Sequence, residues 1–237
     1  MRLSDNFVES FKRRHSVILG MTRSGKTFFA ARILKRLQNL GAHTLFVDPK
    51  HDKAYEHLGE VCYSPMEVLE KIMLKKRAIV FRPPAAKEQK IEQLDEVIEL
   101  LFKYSKEDGY KRIRRVVAID ELQLFVKKGN SKAIEMIWTV GAGIGIVGMA
   151  LTQRVQLLNE TAWSQSDNKV LFKMEDRPEY LRSRNLDHYV DNMDKLQDPM
   201  NRYAYYCTTG GNKWRLRDPI PATNTNAWDG NLSLSPY

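Results

Sequence analysis

Three features of this sequence predict an α/β fold with a mostly parallel sheet flanked by helices. Short apolar runs of strand length recur along the chain. Segments with apolar residues at helical spacing separate them. A loop bracketed by glycines joins the first run to the first long helix. Strands that alternate with helices connect by right-handed crossovers, which makes parallel neighbours of them. The 237 residues suffice for one large α/β domain with a substantial core.

The glycine loop carries the most chemistry. Val17-Ile18-Leu19 reads as a buried strand, and Gly20-Met21-Thr22-Arg23-Ser24-Gly25-Lys26-Thr27 follows as G-x-x-x-x-G-K-T. Phe-Phe-Ala-Ala-Arg-Ile-Leu then begins a helix. The glycines let the backbone curl so that its N–H groups face one point, and the helix aims its positive end at the same point. This order of strand, loop and helix is that of a P-loop NTPase. The expected ligands are ATP and Mg²⁺, with Lys26 on the β- and γ-phosphates and the Thr27 hydroxyl on the metal.

The P-loop helix is expected to stop at Gly41, a good C-cap residue. Residues 43–47 form the next strand, closed by Asp48-Pro49-Lys50, because Pro49 cannot donate to a ladder. Residues 61–63 form a short strand. Ser64-Pro65-Met66-Glu67 supplies an N-cap, a proline at the first helical position and a capping-box glutamate for a helix to about Leu74. A strand over 77–81 precedes an amphipathic helix over 86–106, whose apolar positions include Ile91, Leu94, Val97, Ile98, Leu101 and Phe102.

Val116-Val117-Ala118-Ile119-Asp120-Glu121 is an apolar run ending in two acids, the Walker B pattern. Asp120 would hold Mg²⁺ through water and Glu121 would polarise the attacking water. A helix over 131–140 ends in Gly141-Ala142-Gly143. A strand over 144–151 then opens onto Thr152-Gln153-Arg154, at the edge where parallel sheets bind ligands. A strand over 169–174, helices over 176–185 and 187–196, and a hairpin of 202–207 with 213–217 complete a domain spanning 1–217. Residues 218–237 are expected to be a polar tail, disordered or docked on a neighbour.

Lys and Arg total 38 against 29 Asp and Glu, a net charge of +9. That balance favours a polyanionic partner, nucleic acid first. The two cysteines, Cys62 and Cys207, are far apart and outside any metal spacing, which fits a reducing compartment without a disulfide framework. No apolar core follows Met1-Arg2-Leu3-Ser4 to make a signal peptide, and no apolar stretch approaches the roughly 18 residues of a membrane span.

Three further pieces carry a family resemblance. Phe46-Val47-Asp48-Pro49-Lys50 resembles the strand-end hydrophobic-Asp-Pro-Lys of the FtsK–HerA superfamily of DNA-pumping ATPases. Ala150-Leu151-Thr152-Gln153-Arg154 resembles its Ala-Thr-Gln-Arg motif, and Lys169-Val170-Leu171-Phe172-Lys173 resembles the strand that follows. All occur in family order, over roughly residues 14–217. The resemblance implies a RecA/FtsK-like fold and a homo-oligomeric ring with nucleotide at subunit boundaries. It implies double-stranded DNA gripped by its backbone, and Gln153 sensing the γ-phosphate. In size and layout the chain is similar to the compact genome-packaging ATPases of tailless, internal-membrane icosahedral viruses. That likeness implies a motor that fills a preformed capsid, partnered by capsid-vertex or membrane proteins, in the host cytoplasm or the virion. Plasmid, conjugative and HerA-like cellular pumps share the same core.

One position departs from the family. Its trans-acting arginine finger would fall at Ala142. The substitutes on offer are Arg82, Arg112, Arg114, Arg115, Arg154, Arg182 and Arg184, with Arg154 first because it adjoins Gln153. Residues 12–14, 111–115 and 127–128 are basic clusters that could meet a phosphate backbone. Competing functions fit less well. A GTP switch needs Asn-Lys-x-Asp, and Asn168-Lys169-Val170-Leu171 lacks the Asp. A small-molecule phosphotransferase needs an acceptor lid, and no insertion before Gln153 supplies one. A module using nucleotide only as structural glue does not need the acid at Glu121.

Overall fold

Strands buried on both faces set the architecture. In the computed structural model, which describes residues 4–107, 114–126, 131–209 and 213–220, the chain begins with α1 (Asp5–Arg13), β1 (Ser16–Leu19), α2 (Lys26–Asn39) and β2 (His43–Val47). Next come β3 (Glu60–Cys62), α3 (Pro65–Met73), β4 (Ala78–Phe81), α4 (Lys87–Glu107) and β5 (Arg115–Ile119). Then follow α5 (Lys132–Glu135), β6 (Ile146–Thr152), α6 (Glu160–Ser164), β7 (Asn168–Leu171) and α7 (Pro178–Arg182). The last elements are α8 (Asp187–Val190), α9 (Asp194–Gln197), β8 (Tyr205–Thr209) and β9 (Arg215–Arg217).

Among the described residues nine strands form one sheet in the order β3-β4-β2-β5-β6-β1-β7-β8-β9. The pairs from β3 through β7 are all parallel, and β8 and β9 add antiparallel at the far edge as the expected C-terminal hairpin. The fold is the α/β P-loop NTPase fold that the sequence predicts.

Successive strand side chains point to opposite faces. Val17, Leu19, Val47, Val117 and Ile119 pack on one side against Val68 of α3 and Leu94, Val97 and Ile98 of α4. Ile18, Phe46, Val116 and Ala118 pack on the other against Phe29, Ile33 and Leu34 of α2 and Val8 and Phe11 of α1. With helices on both faces, the central strands read as unbroken apolar runs rather than alternating ones.

Several boundaries differ from the sequence reading. Helix α1 was not among the expected elements. Ser4 caps it by accepting from the Phe7 amide at 3.3 Å, and Phe7 and Phe11 meet Phe29 edge to face. The helix expected over 131–140 is α-helical only to Glu135 and widens to a π turn over Met136–Val140. The strand expected from 144 starts at Ile146, because Gly145 turns the chain at φ 80°. The helix expected over 187–196 splits into α8 and α9. Residues 221–237 of the expected tail lie outside the described residues.

Candidate nucleotide site

Parallel strands bring their C-terminal ends to one edge of the sheet. Leu19 pairs with Thr152 and Val47 with Ile119, so β1, β6, β2 and β5 all end there. The P-loop, Asp48-Pro49-Lys50, Asp120-Glu121 and Gln153 each follow one of those ends, and the fold therefore assembles them.

The loop is held from beneath. The Gly20 amide donates to the Thr152 carbonyl at 3.3 Å, and the Met21 amide to the Lys173 carbonyl at 2.8 Å. The buried Tyr189 hydroxyl fixes that neighbouring segment, accepting from the Met174 amide at 3.1 Å and donating to the Phe172 carbonyl at 2.9 Å. Gly20 cannot be replaced without movement, since a Cβ there would stand 2.6 Å from both the Phe172 Cβ and the Ser24 Oγ. Gly25 caps α2 at φ 104°, a left-handed conformation costly for any other residue.

Lys26 is buried, and its ammonium donates to the Met21 carbonyl at 2.9 Å. Burial lowers its pKa against the pull of Glu121 and Asp120. Ser24 Oγ is buried without a hydrogen-bond partner, while Thr22 and Arg23 are exposed on the rim.

Asp120 lies beneath. Burial first, and the Glu121 charge second, push its pKa up to about 6. The Tyr55 hydroxyl donates to Asp120 Oδ2 at 3.4 Å and also hydrogen-bonds Thr27. Tyr55 is itself buried, its ring 4.2 Å from that of Phe46. Glu121 takes a left-handed backbone at φ 47°, an uncommon conformation for a side chain of its size and one that recurs at functional sites. Its carboxylate accepts from Lys50, Gln123 and Gln153. Burial alone would raise the Glu121 pKa, but those hydrogen bonds and the Lys50 charge hold it below the usual value. Gln153 Oε1 in turn accepts from the Thr22 hydroxyl at 3.0 Å. A polar chain thus runs Thr22–Gln153–Glu121–Lys50 across the strand ends.

Every site residue drawn from the sequence motifs falls at this edge. The candidate arginines are more scattered. Arg82 is buried, held by Asp48 at 3.0 Å, Glu56 at 3.1 Å and the Asp52 carbonyl at 2.8 Å. Arg115 is buried at the start of β5, on the opposite edge, where Arg114 also lies. Arg182 pairs with Asp187 and Asp191, and Arg184 with Glu160. Arg154 is exposed beside Gln153, and Arg112 lies outside the described residues. Of the basic clusters, Lys12 bonds the Leu40 carbonyl at 2.9 Å and Arg14 approaches Asp167, both away from the loop edge; residues 111–113 and 127–128 lie outside the described residues.

Sequence reasoning assigned no role to Lys50, although it stood in a quoted motif. It missed Tyr55 and Tyr189 altogether. Tyr55 sits in a polar stretch, His51-Asp52-Lys53-Ala54-Tyr55-Glu56-His57, with no periodicity to flag it.

A glycine loop at a helix N-terminus, with a buried lysine and an acid pair at the end of β5, defines a P-loop ATPase. The chain belongs to the family described as an ATPase domain predominantly from Archaea, which matches residues 5–140. Its fold is shared with the genome-packaging NTPase B204 of Sulfolobus turreted icosahedral virus 2 in complex with ATP-gammaS. That likeness covers 89% of this chain and 99% of the viral one at 17% identity and a TM-score of 0.73. VirB4 of Thermoanaerobacter pseudethanolicus is similar over 90% of this chain and 92% of its own, at 13% identity and a TM-score of 0.67. No curated protein sequence shows significant similarity to the chain. Among the described residues no helix is long and apolar enough to cross a membrane.

Proposed function

We propose that this ATPase is a double-stranded DNA translocase, the motor that packages a viral genome into a preformed capsid. The observation that carries the reading is the polar chain from Thr22 through Gln153 to Glu121, which couples the P-loop rim to the end of β6. The likeness to a packaging NTPase over 89% of this chain supports the setting.

In this reading the Gly20–Thr27 backbone wraps the phosphates, and Lys26 turns from the Met21 carbonyl to a phosphate oxygen. The buried, unpartnered Ser24 hydroxyl fits the same ligand. The Thr27 hydroxyl and, through water, Asp120 would hold Mg²⁺, a cation that needs few protein ligands beside phosphates. When bound, it neutralises charge on the phosphate oxygens. Glu121 orients the attacking water, and Gln153 reports the γ-phosphate. The domain ends near 217, with 218–237 as an appended tail. Subunits form a ring around DNA, contacting its phosphates through exposed Lys and Arg. Arg154 is the favoured in-trans finger. Capsid-vertex or membrane proteins dock the ring, in host cytoplasm or virion.

A conjugative setting is the second reading, favoured by the likeness to VirB4. The translocase reading is tested by triplex displacement: the protein should strip a third strand from linear duplex only with ATP. No displacement under conditions of brisk ATP turnover contradicts it.

A further inference from the structure

The ion pair between Lys50 and Glu121 is a contact at this edge that the proposed roles leave unused. Lys50 lies three residues past the end of β2, and its ammonium meets Glu121 Oε1. The same oxygen accepts the Gln153 amide, and Gln153 is bonded to Thr22 on the P-loop rim. Lys50 therefore stands one carboxylate away from the loop. Its base is rigid: the Lys50 amide donates to Asp48 Oδ1 at 3.3 Å, and Asp48 is fully buried against Arg82. Its side chain is 49% exposed and sits on a flexible stem.

We propose that Lys50 contacts the γ-phosphate of ATP bound in its own chain, leaving Glu121 to do so. The inference rests on the ATP-site reading above and adds a residue to it.

Three considerations support the exchange. The Glu121 carboxylate holds three donors, two of them on Oε1, so that oxygen has no position left for a water. Moving the Lys50 ammonium to a phosphate oxygen frees one acceptor position on Oε1, beside the Gln153 amide, at the place where a water must be oriented. An ammonium also trades one anion for a more highly charged one, so it need not be left unpaired in a half-buried place. Lastly, both ammonium groups are tied to the P-loop, Lys26 through the Met21 carbonyl and Lys50 through Glu121, Gln153 and Thr22. With alanine at position 142, a cation supplied in cis offsets part of the charge that a finger from a neighbour would meet.

The test compares Mg²⁺-supported binding of ATPγS and ADP to the whole protein, by calorimetry, for wild type, Lys50→Met and Lys50→Arg. Lys50→Met should lose roughly ten- to a hundredfold in ATPγS affinity while ADP affinity stays as in wild type. Lys50→Arg should regain much of that preference. The retained ADP affinity also shows that the variant is folded. Equal loss for both nucleotides, or no loss for either, overturns the proposal. Wild type that prefers ATPγS beside a Lys50→Met that keeps the same preference sinks the Lys50 contact alone. Wild type that binds neither nucleotide sinks the ATP-site reading and this inference with it.

Discussion

The Thr22 hydroxyl donates to the Gln153 carboxamide across 3.0 Å, tying the P-loop to a strand end 131 residues further along the chain. Gln153 passes the connection to Glu121 through its amide. A side chain so placed feels both the rim of the loop and the carboxylate that would orient water. Gln153→Ala should therefore lower ATP turnover, by roughly tenfold or more, with little loss of ATP affinity. Steady-state kinetics beside equilibrium binding checks this, and an unchanged turnover removes Gln153 from the mechanism.

Tyr55 makes a second point about support from beneath. Its hydroxyl touches Asp120 and Thr27, the two side chains assigned to Mg²⁺. Groups that orient metal ligands are worth about ten- to a hundredfold in metal affinity or activity. Tyr55→Phe should raise the Mg²⁺ concentration for half-maximal turnover about tenfold, the ring packing on Phe46 being kept. A Mg²⁺ titration identical to wild type contradicts that role.

Much of this edge was legible in the sequence because its signals are local. The glycine loop, the apolar run ending in Asp120-Glu121 and the Thr152-Gln153-Arg154 strand end each declare themselves within eight residues or so. The parallel topology then brings them together without further instruction, since strand ends are shared by all parallel neighbours. What stayed hidden depends on distant partners. The guanidinium of Arg82, a candidate finger by sequence, is held by Asp48, 34 residues away. Tyr55 and Tyr189 act through single hydroxyls reaching other segments, a pattern that no periodicity encodes. Helix α1 is short, and its aromatic face has meaning only against Phe29.

His15 gives the fold a pH dependence remote from the loop. It is buried, stacked on Trp138, and its Nδ1 accepts from the Gly148 amide at 2.9 Å. Burial, only partly opposed by Asp167, lowers its pKa to about 4. The unfolded chain takes up this proton near pH 6.5, the folded one only near 4, so stability is full above the first value and falls as pH drops toward the second. The loss over that window should be about 3 kcal/mol. Urea midpoints between pH 7 and 4 measure it, and His15→Gln should flatten that part of the curve relative to wild type. An identical pH profile in the variant contradicts the assignment.

Gly148 tests the packing beside it. A Cβ there would sit 2.5 Å from two ring atoms of Trp138, and that ring is pinned by its Nε1 donation to Ser166 at 3.0 Å. Gly148→Ala should cost about 1–3 kcal/mol through overpacking. A lower urea midpoint at constant slope is the expected signature. An unchanged midpoint means that the ring moves freely.

The central claim is that Glu121 drives ATP hydrolysis coupled to DNA. ATP turnover with and without double-stranded DNA, measured for wild type and Glu121→Gln, tests it most directly. DNA should stimulate the wild type, and Glu121→Gln should bind ATP with turnover reduced roughly a hundredfold or more. Wild-type turnover indifferent to DNA, or a Glu121→Gln variant that hydrolyses ATP at the wild-type rate, contradicts the claim.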